Sequence, residues 1–332
     1  MKPLRFERRL CIRKALGVSK QVATTLDPRG WVEPPLLRYT GWKERKLGMR
    51  RGLVGILFAL SLLHGQQSLD RAQELYQRTD YNGSLRLLHE VPKPVAPVYC
   101  LMGQNYFMQG EYKKATDSFE KALALQPSNS VYAHWLGRAF GRRAETSGPF
   151  MAVSHASKAR QYFERAVALD PENEEAMNDL FDFYLQAPGF LGGGYEKAER
   201  VAERIAQQNE AEGYFARAQL ADRRKQFDTA EEQLRRAMEL APRQVGRVLD
   251  LARYLAKRGR IAESEAAFDK AEQLAPNAPN VYFARARTYI EQKRNLDQAK
   301  ILLVRYLHSD LTPDDPPRAQ AEKLLQQVTG VS

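Results

Sequence analysis

The side chains best able to do chemistry in this chain are its histidines and cysteines, and their spacing gathers no shared centre. His89, His134, His155 and His308 lie at least 21 residues apart, without the His-x-x-His or His-Glu-x-x-His spacing that sets two imidazoles on one helical face for a metal. Cys11 and Cys100 are the two cysteines, and Cys100 sits in a helical pattern where packing accounts for a lone thiol. Gly192-Gly193-Gly194 invites comparison with a phosphate-cradling loop, but no Gly-Lys-Ser/Thr follows it and no strand precedes it. No Gly-x-Ser-x-Gly elbow and no dinucleotide fingerprint occurs. Carboxylates alternate with basic residues, as from Glu199 to Glu203 and from Glu231 to Arg236, in the manner of solvated helix faces. No catalytic residue, metal or cofactor is expected, and the chain reads as a non-enzyme whose chemistry is binding.

Charge narrows the partner. The formal net charge is +11, but residues 1–48 hold 12 Lys/Arg against 4 Asp/Glu, while from Gln66 onward 37 basic residues face 36 acidic ones. Most of the chain therefore lacks the basic excess that seeks phosphate backbones, and no nucleic-acid partner is expected.

The elements that position these side chains repeat along the chain. Tyr99, Gly103, Tyr106, Gly110, Tyr112, Ala115, Phe119, Ala122 and Pro127 describe a first helix ending at a glycine turn and a second stopped by proline. Leu136, Gly137 and Phe140 with Ala159, Phe163, Ala166 and Pro171 continue the series. Met177, Leu180 and Tyr184 with Ala198, Ala202 and Ile205 follow, then Tyr214 to Pro242, Leu251 to Pro276, and Tyr282 to Leu303. Pro242 and Pro276 are 34 residues apart. One such helix pair cannot bury its apolar face alone, so the units must stack.

This pattern resembles the tetratricopeptide repeat, which places a large residue at position 4, a small one at 8, an aromatic at 11, alanines at 20 and 27 and proline at 32. The segment Ala96 to Asn129 matches at all six. The resemblance implies an all-α fold: a right-handed α-solenoid of six to seven helical hairpins with a capping helix. Residues 66–95 read as a degenerate leading unit, 96–311 as six units, and 312–332 as the capping helix and tail.

In that family the first helix of each unit lines a concave groove that takes a protein or peptide partner. Transferring the groove positions gives Gln104, Phe107 and Met108; His134 and Arg138; Asn178 and Asp182; Phe215 and Gln219; Arg253 and Lys257; and Phe283 and Arg287. The carboxylate clamp of chaperone-binding members is not present in this set.

Two segments interrupt the period and read as loops between paired helices, 141–156 and 187–194. The second, Pro188 to Gly194, resembles a Pro-Gly-Phe-Leu-Gly-Gly-Gly segment carried by a group of bacterial tetratricopeptide proteins without an assigned role. The loops either seal a gap between units or form a lateral site for a small ligand or a catalytic function, with Arg142, Arg143, His155 and Phe190 as its residues.

The amino terminus reads as an export signal. Met49-Arg50-Arg51 precedes an apolar run over 52–63, then His64-Gly65, the three parts of a secretory signal. Residues 49–65 are assigned to that signal and 1–48 to a mis-assigned start or a disordered extension. The expected location is periplasmic or secreted. The alternative is an inner-membrane anchor through 52–63, although twelve apolar residues fall short of the roughly 20 that span a bilayer. Membrane contact is expected only through this segment.

Overall fold

The computed structural model describes residues 67–330; the signal and extension assigned to 1–65 lie outside the described residues. The chain is helical at 67–77 (α1), followed by α2 Tyr81–His89, α3 Ala96–Met108, α4 Tyr112–Leu125, α5 Ser130–Thr146 and α6 Pro149–Leu169. Next come α7 Glu174–Gln186, a 3-10 turn at Gly189–Leu191, α8 Tyr195–Gln208, α9 Glu210–Arg223 and α10 Phe227–Leu240. The series ends with α11 Val245–Lys257, α12 Ile261–Leu274, α13 Pro279–Glu291, α14 Leu296–Leu307 and α15 Arg318–Thr329. No strand occurs among the described residues. Six pairs from α3 to α14 stack in chain order, each packed on the next, and α15 closes the end against α13 and α14; α1 and α2 form a seventh, leading pair packed on α3. The fold is the α-solenoid that the periodicity implies.

Local chemistry sets the helix ends. Asn129, Asn173 and Asn209 accept hydrogen bonds from the amides of Tyr132, Ala176 and Glu212 at the starts of α5, α7 and α9, satisfying donors that a helix start leaves open. Gly110 takes φ +77° in the turn from α3 to α4, a conformation costly for a residue with a Cβ. In the pairs α3–α4 and α5–α6 a glycine faces an aromatic ring: a Cβ at Gly103 would stand 2.6 Å from Phe119, and one at Gly137 2.7 Å from Phe163. That approach lets Phe119, Phe140, Phe163 and Phe268 bury fully, and the apolar clusters together run from α1 to α15.

The interruption at 141–156 corrects the expectation of a loop. Only Ser147 and Gly148 separate α5 from α6, and the added residues lengthen those helices to 17 and 21 residues, against 12 to 14 in the pairs from α7 to α14. Gly141 is absorbed within α5, Gly148 is the N-cap of α6, and Pro149 opens α6, where its missing N–H is harmless and its fixed φ fits. Residues 187–194 do form a connection, built around the 3-10 turn.

The two ends of the array meet. Thr79, Tyr81 and Met108 line one side of a cavity of about 290 Å³, and Leu311, Thr312, Asp315 and Pro316 to Ala319 line the other. The seven pairs and their cap thus bring the leading unit back against the C-terminal segment.

Candidate functional site

The first helices α3, α5, α7, α9, α11 and α13 carry the side chains transferred from the groove pattern, and the structure divides them. Phe107, Met108, Asn178, Asp182, Phe215, Gln219, Arg253 and Arg287 are half-buried, and Lys257 is exposed. Gln104, His134, Arg138 and Phe283 are buried, which corrects their assignment as open contacts.

The burial of Phe283, His134 and Arg138 has identifiable causes. Phe283 packs on Tyr306 with ring centroids 5.2 Å apart, in a core completed by Leu311 and Ala321 where α15 lies over α13. His134 meets the Asp179 carboxylate of α7, Nε2 to Oδ2, at 2.7 Å. Arg138 lies 3.7 Å from the same carboxylate, with its guanidinium over the rings of Trp135 and Phe107 at 4.4 and 5.3 Å. One stack thus joins α3, α5 and α7.

A second stack joins α9 to α11. Arg247 is 3.0 Å from Glu212 and 3.2 Å from Asp250, and its guanidinium covers Phe215 at 4.1 Å. Arg253 donates to Asp250, and Lys257 reaches Asp222 at 2.7 Å. Phe215 is therefore half-covered by a cation held between two carboxylates. Asp179, Glu212, Arg247 and Asp250 were not among the transferred positions. Glu212 to Arg247 and Asp222 to Lys257 are each 35 residues apart, one repeat plus one, and that offset is the signal that would have found Glu212 and Arg247; Asp179, 45 residues from His134, carries no such offset. The arrangement can grip an extended chain through half-exposed rings and fixed charges.

At the α5–α6 tip the lateral residues separate. Arg142 donates to Tyr112 and Glu145, and Arg143 donates to Thr116 at 3.0 Å. His155 is buried, with Nδ1 3.1 Å from Ser147 Oγ and a hydrogen bond to the Arg143 backbone. Burial first, then the Arg143 and Lys158 charges, lower its pKa. Burial also pushes the Glu145 carboxyl up to about 7 against the opposing pull of Arg142, and the Cys100 thiol up to about 12. Phe190 stands apart in solvent, 78% exposed, so these four do not form one pocket. The glycine run serves geometry: a Cβ at Gly193 would stand 1.9 Å from the Ala187 carbonyl oxygen, and one at Gly192 2.8 Å from Arg160. Among the described residues no group of three His, Cys, Asp or Glu could hold a metal, and no helix is long and apolar enough to cross a membrane.

Comparison with known proteins bears on the fold. Sequence profiles described as tetratricopeptide repeat match residues 96–129, 211–244 and 249–316. No curated protein sequence matches the chain. The crystal structure of a tetratricopeptide repeat protein from Parabacteroides merdae is similar over 80% of this chain and 99% of that one, with 17% identity and a TM-score of 0.53. A thermophilic tetratricopeptide protein of Thermus thermophilus matches over 57% of this chain and 98% of its own, with 18% identity and a TM-score of 0.47. With the stacked pairs of α1 to α14 on one side and the three matched segments on the other, the chain belongs to the tetratricopeptide-repeat family.

Proposed function

We propose that this chain is a non-catalytic scaffold that holds a protein or peptide partner along its first-helix face, and that it works outside the cytoplasm. The observation that carries the first part is the recurrence of Phe107, Asn178, Asp182, Phe215, Gln219, Arg253 and Arg287, all half-buried, on five of the first helices. Aromatic area gives such a face its grip and fixed polar groups its register. The buried stacks around Asp179 and Arg247 hold those helices at fixed offsets, so the face is rigid before a partner arrives. Export is supported by the basic start and apolar run from Met49 to Leu63.

The test compares capture by the native chain, by Phe107→Ser/Phe215→Ser, and by Arg204→Ser on the exposed side of α8. Loss of one specific partner from the double variant alone, with folding intact, supports the reading; equal capture by all three contradicts it. Amino-terminal sequencing of the native protein tests export, and a mature chain that begins at Met1 contradicts it.

A second reading places a small anionic ligand at the α5–α6 tip. A shallow cavity of about 330 Å³ there is lined by Lys113, Arg143, Thr146 and Ser147, with Glu111 as its one carboxylate. It predicts that Arg143→Ala abolishes binding of inorganic phosphate and leaves partner capture unchanged.

A further inference from the structure

The lengthened pair α5–α6 has an apex with no counterpart in the other units. Its extra turns carry it about 6 to 10 Å beyond the neighbouring pairs at 1.5 Å per residue. At that apex Phe150 is 95% exposed, Met151 55% and Val153 48%. One unit further along the same edge, in the connection from α7 to α8, Phe190 is 78% exposed. Isolated apolar side chains on a surface are ordinary, but three within four residues on a projecting tip are not.

The base of the tip is basic. Arg142, Arg143 and Lys158 flank it against Glu145 alone within 141–158. The two arginines are fixed, by Tyr112 and Glu145 and by Thr116, and Lys158 lies over the Phe140 ring at 4.9 Å. The result is a convex apolar point above a rigid cationic collar. A protein partner takes up aromatic anchors through concave pockets, whereas a bilayer interface accepts a convex apolar tip among its acyl chains while anionic headgroups meet the collar.

We propose that the α5–α6 tip is a membrane-docking surface that seats Phe150, Met151 and Val153 in the interfacial region of an anionic lipid bilayer, with Arg142, Arg143 and Lys158 at the headgroups. Phe190 adds a second, weaker contact on the same edge. This orients the array edge-on to the bilayer and leaves the first-helix face open, so it holds whether or not that face binds a peptide.

The test uses the full chain with Cys11→Ser and Met151→Cys, labelled at position 151 with an environment-sensitive fluorophore, and a control labelled at Glu203→Cys. Vesicles contain either phosphatidylcholine alone or phosphatidylcholine with about one third phosphatidylglycerol. The expected result is a blue shift at position 151, quenched by brominated acyl chains, on the anionic vesicles only, with no response at 203. Phe150→Ser/Val153→Ser in the labelled chain should lower the apparent affinity by at least about tenfold, with its melting transition retained. No shift at 151 while the chain floats with the vesicles would overturn the proposal, because attachment would then run through another segment. An equal response on neutral vesicles would overturn the role of the collar. A dimer in solution that the serine variant abolishes, without any vesicle response, would assign the tip to a second copy of the chain instead.

Discussion

The Arg247 guanidinium of α11 lies 3.0 Å from the Glu212 carboxylate of α9, and both side chains are almost fully buried. The pair spans one repeat, so it fixes how far one first helix turns relative to the next. Breaking a buried pair leaves an uncompensated charge behind and costs about 3–5 kcal/mol. Arg247→Ala should lose stability on that scale in urea denaturation, and Arg235→Ala, whose ion pairs are at the surface, at most about 1 kcal/mol.

The close approach of paired helices can be tested at one atom. A Cβ at Gly137 would stand 2.7 Å from the Phe163 ring and 3.3 Å from the Ala159 carbonyl oxygen. Gly137→Ala should cost about 1–3 kcal/mol. Gly189→Ala, where no atom lies within 4 Å, should stay within about 0.5 kcal/mol. Thermal unfolding of the two variants checks the contrast.

Glu145 makes stability depend on pH. Burial pushes its carboxyl up from 4.5 in the unfolded chain to about 7, so between those values the native state keeps a proton that the unfolded state has released. Its contribution to stability is complete below pH 4.5 and is lost as pH rises through 7, by at most about 3 kcal/mol. Glu145→Gln should flatten that decline in a series of denaturation midpoints; an unchanged slope would mean that Arg142, 2.5 Å away, keeps the carboxylate ionised throughout.

Burial separates two phenylalanines that the repeat pattern assigns to the same groove. Phe283→Ala empties the core beneath α15 and should cost about 3–5 kcal/mol. Phe107→Ala removes a half-buried ring and should cost about 1–2 kcal/mol. Chemical denaturation of the two variants tests the ranking, and equal losses would contradict the division between core and face.

The helix pairs are legible in the sequence because Gly103, Tyr106, Ala115 and Phe119 each have one role fixed by size, and the role recurs with the period. The tip is not, because Gly141, Gly148 and Pro149 read as loop residues singly, yet Gly148 and Pro149 occupy the two positions at a helix start that tolerate them. The site is legible only in part. Repeat position tells which helix face a residue occupies, but His134 and Arg138 are covered by Asp179 from the next unit, and that depends on the twist between units. Phe283 is covered by α15, which lies outside the repeat pattern altogether.

The proposed role requires that the first-helix face receive the partner. The most direct measurement places a photo-crosslinking residue at Phe107, Gln219 or Arg287 on that face, and at Lys121 or Arg204 on the exposed side of the second helices, in the native cell. One and the same protein should be joined at all three first-helix positions and at neither of the others. Crosslinks confined to Lys121 or Arg204 would contradict it.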